Sequence, residues 1–246
     1  MNSVLKPIAL AMIVATTQFA GVAYAEAAKI PAAAVATEPS VSVKSPEEWV
    51  NETGNAYPAA AETQSHFTDA VAAYARKDFK TAAADIRDAS AYLRVEAGRA
   101  TGDARRELDN AVVQLDRLAT SVEKGAVKDQ QTMTSDFAKA NHALALEHRS
   151  KAAESWAREE YHKAGYGFKA AAGVLESSAG WAGAQAKSGA SATVAETRAL
   201  GDKLASGANW TRDEVAKGFQ SLSQGINALG EKIGGSRKAS SYSAGA

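Results

Sequence analysis

Four histidines, His66, His142, His148 and His162, are the most versatile chemical groups in this chain. An imidazole titrates near neutral pH and can ligate a metal or haem from inside a helical bundle. Glu159 and His162 form a Glu-x-x-His pair. Di-iron bundles place that spacing on each of two helices, beside two further glutamates. Here it occurs once, at a predicted helix end. Metal binding by His66, His148, Glu159 and His162 is therefore the alternative expectation. The primary expectation is that the histidines are boundary or surface residues. His142 and His148 are six apart, which puts them on different faces of one helix.

Other catalytic chemistry finds little footing. The chain has no cysteine, which excludes thiol catalysis, cysteine-ligated zinc and covalently attached c-type haem. There is no G-x-S-x-G elbow and no phosphate-cradling glycine loop. The acidic residues are scattered, and no pair is spaced as a general acid and base. The expectation is a non-enzyme without a cofactor.

The aromatic residues are placed more systematically. Tyr74 and Phe79 recur, at the same separation from each other, as Trp156 and Tyr161. Each pair flanks a predicted turn. Core packing at the open end of a bundle explains them. The functional alternative is an aromatic-lined pocket that holds a ligand or a partner side chain. Trp49, Trp181 and Trp210 have no aromatic equivalents, and Trp210 is expected to be exposed beside a helix start.

That recurrence belongs to a longer one. A single register shift lays 66–148 over 148–230 without a gap. His66 falls on His148, Ala82 on Ala164, Ile86 on Phe168, Leu93 on Leu175, Leu118 on Leu200 and Phe137 on Phe219. These are the positions that would build a helical core. Helices are predicted over about 59–76, 79–98, 103–124, 129–159, 161–182, 191–206 and 211–233. Ser45, Pro46 and Glu48 signal an earlier helical start, and Pro58 is a kink or break within it. Gly125 and Gly207 end equivalent helices, and Thr211-x-x-Glu214 opens the last one as a capping box. No strand pattern appears. The expected fold is all-α: an antiparallel bundle of about seven helices, built by internal duplication, in two four-helix units that share a long central helix. The first unit would span 45–158 and the second 129–235, sharing 129–159. Helices of the second unit carry many glycines, each costing about 1 kcal/mol against alanine, so that unit is expected to be the less stable.

Within each copy, an acidic–aromatic turn precedes a helix with alternating small and large residues. These are Asp78-Phe79, Ala82, Ile86 and Ala89, then Glu160-Tyr161, Ala164, Phe168 and Ala171. The two stretches, 70–98 and 152–180, resemble the helical hairpin of the tetratricopeptide family. The resemblance implies hairpin packing of that kind. The long repeat period and the third helix of each copy lie outside the family pattern.

The first residues read as a secretory signal. Lys6 is followed by an apolar run and by Ala23-Tyr24-Ala25, so 1–25 is expected to be removed. Residues 26–44 read as a flexible linker and 236–246 as a disordered tail. The formal net charge is zero, and loss of Lys6 leaves the mature chain one unit acidic. Neither value favours binding to nucleic acid or to anionic lipid. The expected protein is a periplasmic or secreted, non-enzymatic scaffold, adaptor or chaperone-like protein that binds a protein partner, with oligomer formation left open. The candidate contact residues are Tyr74, Phe79, Trp156, Tyr161 and Trp210. The alternative is a helical-bundle carrier of a metal or small molecule.

Overall fold

The computed structural model describes residues 58–234, so the signal, linker and tail readings, Trp49 and the Ser45–Glu48 helix start lie outside the described residues. Among the described residues the chain is all-helical. It comprises α1 (Pro58–Ala75), α2 (Phe79–Arg99), α3 (Gly102–Glu123), α4 (Gln130–Ala157), α5 (Tyr161–Trp181), α6 (Ala184–Ser206) and α7 (Arg212–Lys232). Each helix packs on the next in sequence, as short connections require.

Helix ends follow from local chemistry. At the end of α1, Lys77 adopts a left-handed conformation, φ 63°. Its N–H donates to the Tyr74 carbonyl at 2.9 Å, and that of Asp78 donates to the Ala73 carbonyl at 3.0 Å. This closes the helix and satisfies its last carbonyls. Asp78 then caps α2, its carboxylate accepting from the Thr81 N–H at 3.1 Å. Asp129 does the same for α4 through Thr132, and Thr211 for α7 through Glu214.

The expected start of the sixth helix at 191 is corrected to Ala184. Gly183, at φ 105°, turns the chain, and the helix begins at once. Over this first stretch only Ala186 and Ala190 face the core, which is too sparse a pattern to read as periodic.

The centre of the molecule is α4. It packs on α1, α3, α5 and α7. Every residue from Ala140 to Arg149 is buried. Helices on all sides leave this stretch no solvent face, so its polar residues are carried into the interior. One hydrophobic core runs through all seven helices. Within it, Phe67 and Phe137 stack at 4.1 Å, with Trp181 edge-on to both. Phe168 meets Phe219 at 4.5 Å.

The glycines of α5–α7 mark contacts between helices. A β-carbon at Gly165 would lie 2.5 Å from the Ala205 nitrogen, and one at Gly201 would lie 2.8 Å from the Gly165 carbonyl. At Gly167 it would meet Ala152 of α4 at 2.8 Å. The cost of these glycines in helix propensity is therefore offset by close backbone approach. Gly173 and Gly180 have open space where a side chain would go.

Candidate functional site

The aromatic residues gather at two turns. At the α1–α2 turn, Tyr74 and Phe79 lie 5.5 Å apart. The Tyr74 hydroxyl donates to the Val127 carbonyl at 2.8 Å and so ties the α3–α4 loop to this turn. At the α4–α5 turn, Trp156 and Tyr161 lie 5.0 Å apart. Trp210, in the α6–α7 loop, adds a third ring, 5.2 Å from Trp156 and 4.7 Å from Tyr161. The expectation that Trp210 is exposed is therefore corrected: it is half-buried, because its loop returns across the turn. All five side chains pack against the core while keeping some surface.

Boundary or surface placement of the histidines is overturned for two of them. His142 and His148 are both buried, because α4 has neighbours on all sides. The His142 Nε2–H donates to the Ile226 carbonyl at 3.0 Å. Gly230, one turn further along α7, leaves room for the ring: a β-carbon there would lie 2.7 Å from Nε2. His162 is exposed, with Nδ1–H donating to the Ala205 carbonyl at 2.9 Å. Glu159 is exposed and left-handed, φ 60°. The Glu-x-x-His pair thus straddles a turn and does not share a helix face. Among the described residues, no group of three or more potential ligands includes His148, Glu159 or His162. His66 lies apart from them, half-buried beside Asp85 and Asp88.

A buried ionic cluster surrounds the middle of α4. Lys151 Nζ lies 2.7 Å from Glu96 Oε2 of α2 and 3.1 Å from Glu147 Oε1. Both carboxylates are buried, and Arg99 stands 3.4 Å from Glu96. Burial pushes Glu96 upward, but the closer Lys151 ammonium outweighs it and holds the carboxyl below its ordinary range. Glu147, at the longer distance and repelled by Glu96, stays above its ordinary value because burial prevails. Lys151 is raised, since the two carboxylates overcome its own burial. The result is a core polar network that joins α2 to α4. Two of its members, Glu147 and Lys151, have the i,i+4 spacing of a helical ion pair. That signal was legible in the sequence. Glu96, which continues the apolar stripe of Leu93 and Ala97, offered none.

His148 lies beside this network. Burial, reinforced by the Lys151 charge, depresses its imidazole to about 3. The ring is therefore neutral in the folded protein at pH 7. The unfolded chain takes up a proton there near pH 6.5, whereas the folded chain does so only near pH 3. Stability supplied by the neutral ring is full above pH 6.5 and is lost as pH falls below it, by at most about 1.4 kcal/mol per pH unit. His142, depressed chiefly by burial, adds a loss of the same sign. His148→Gln is expected to flatten the fall in stability between pH 6 and 5, as measured by urea unfolding. An unchanged slope would show that the native ring takes the proton readily.

An open groove of about 540 Å³ runs between α3 and α4. Arg117, Lys128 and Lys139 share its lining with Asp129 and Asp136. Its charge is mixed, and none of the sequence-predicted site residues reaches it. No helix among the described residues is long and apolar enough to cross a membrane. Comparison with protein-family models, with curated proteins and with solved structures finds no match to this chain, so its functional reading rests on its own geometry.

Proposed function

We propose that this protein is an exported, non-enzymatic helical scaffold, built by tandem duplication, that binds a protein partner through the aromatic cluster at its second hairpin turn. Several structural details that recur at equivalent positions of the two copies support the duplication. Lys77 and Glu159 are the two left-handed non-glycine residues among the described ones. Asp129 and Thr211 cap equivalent helices. Arg94 pairs with Asp116 at 2.9 Å, while at the equivalent positions Glu176 pairs with Arg198 at 2.6 Å. The charges are exchanged and the bridge is kept. Such a swap is neutral for packing, and sequence identity alone does not reveal it.

One observation carries the binding reading. Trp210 occupies the position that is Lys128 in the first copy. The second turn thus gains a ring that the shared architecture does not require. Three large rings with retained surface suit a binding anchor, because aromatic side chains dominate binding energy at protein interfaces. A chaperone-like role through a broad apolar face has less support. Among the described residues, Val113 is the one large hydrophobic side chain in the exposed class.

The test is site-specific photocrosslinking in the host. A crosslinkable residue at Trp210 is expected to capture a discrete adduct, and one at Lys128 is not. Equal labelling at both positions, or none at Trp210, would remove the basis for this reading. Sequencing the exported protein is expected to show a mature start at Glu26.

A further inference from the structure

We propose that His66, Asp85 and Asp88 form a binding site for a divalent transition-metal ion between α1 and α2. The elements bring these residues together simply. Asp85 and Asp88 are three apart on α2, so they share a face, and α1 packs alongside and contributes His66. One ligand atom from each lies within 4.8 Å of the others. His66 Nδ1 stands 3.8 Å from Asp85 Oδ1. That distance is too long for a hydrogen bond. It suits two ligands that each lie about 2.0–2.2 Å from a shared ion.

Three further observations point the same way. His66 Nδ1 is shut off from solvent and has no hydrogen-bond partner among the described residues. A buried ring nitrogen ordinarily has one. The ring is oriented by Tyr92, stacked with centroids 5.8 Å apart. Among the described residues, the surrounding carboxylates also lack a close basic partner. Asp69 lies one turn beyond His66 on α1, and neither it nor Asp85 nor Asp88 pairs with a lysine or arginine among the described residues. Elsewhere such carboxylates do find partners, as Glu123 does with Arg87 and Asp116 with Arg94.

The carboxylates are not part of the sequence repeat. At the equivalent positions of the second copy, Gly167 and Ala170 stand in place of Asp85 and Asp88. One imidazole and two carboxylates favour a first-row transition ion over calcium or magnesium, which prefer oxygen alone. Asp88 is exposed, so the remaining coordination positions open to solvent. This site is independent of the partner surface proposed above.

Calorimetric titration of the full exported chain with Zn²⁺, in chelator-free buffer, tests it. One ion per chain is expected, with no displacement by Ca²⁺ in excess. His66→Gln and Asp85→Asn are each expected to weaken binding roughly tenfold or more. His162→Gln, at the exposed turn histidine, is expected to leave it intact. Circular dichroism of each variant checks folding. Should His66→Gln or Asp85→Asn fail to fold, the exposed Asp88→Asn provides the same measurement. Absence of one-to-one binding overturns the proposal. So does binding that survives the substitutions in folded protein, or equal binding of Ca²⁺ that is insensitive to His66→Gln, which would indicate an acidic surface only.

Discussion

Gly165→Ala is expected to lower the free energy of unfolding by about 3 kcal/mol, the upper range for overpacking a tight contact. The new methyl carbon would lie 2.5 Å from the Ala205 nitrogen, 2.7 Å from the Gly201 carbonyl oxygen and 2.8 Å from Leu204 Cβ. None of these is the end of a flexible side chain. Two are backbone atoms of α6, so α5 and α6 must separate along their contact. Gly173→Ala, in the same helix, has nothing within 4 Å of the added atom. It is expected to stabilise by about 0.8 kcal/mol, the propensity difference alone. Urea unfolding of both variants compares one chemical change in two settings. Equal effects of the same sign would show that α5 and α6 do not meet as closely as described.

Lys151→Met is expected to cost about 3–5 kcal/mol at pH 7, the usual consequence of stranding buried charge. The substitution preserves most of the side-chain volume and removes the ammonium that serves Glu96 and Glu147. In the native protein the depressed Glu96 contributes stability above its unfolded pKa, and this is lost as pH falls through its folded value. Without Lys151, both folded-state pKa values rise. The penalty is then greatest where the carboxylates are ionised and shrinks as pH falls towards the unfolded value near 4.3. The deficit of the variant relative to the native protein is therefore expected to be clearly smaller at pH 5 than at pH 7. Adding Glu96→Gln and Glu147→Gln to the variant is expected to recover much of the loss at pH 7. A deficit that ignores pH and is not recovered would mean that Lys151 acts through packing of its alkyl stem.

These expectations differ in where they were visible. Pairing of Glu147 with Lys151 could be read from their spacing. The recruitment of Glu96 could not, since it lies far from Lys151 in the chain and continues an apolar stripe. Crowded and open glycines are indistinguishable in sequence. Gly165 and Gly173 are both interior glycines of one helix, and only the path of α6 separates them. The same holds for His66 and His148, which a single register shift of the sequence aligns. One sits at a half-buried interface with acids, and the other is sealed in the core.

Residue order was enough for whatever depends on neighbours along the chain. Apolar spacing called for helices, and residues such as Asp78, Asp129, Thr211, Gly125 and Gly207 set their ends through caps and turns of a few residues. It also paired Tyr74 with Phe79 and Trp156 with Tyr161, because a turn of fixed length brings them together. Burial came from the packing of helices. With neighbours on every side of the middle of α4, polar residues such as His142, Glu147 and His148 became interior groups, although the spacing of the two histidines put them on separate faces. Packing also selected which distant residues meet: Trp210 with Tyr161, Lys151 with Glu96, and His66 with Asp85. The difference is one of range. Helix formation and capping are settled within a few residues, whereas burial, pKa and ligand geometry depend on which helices pack together.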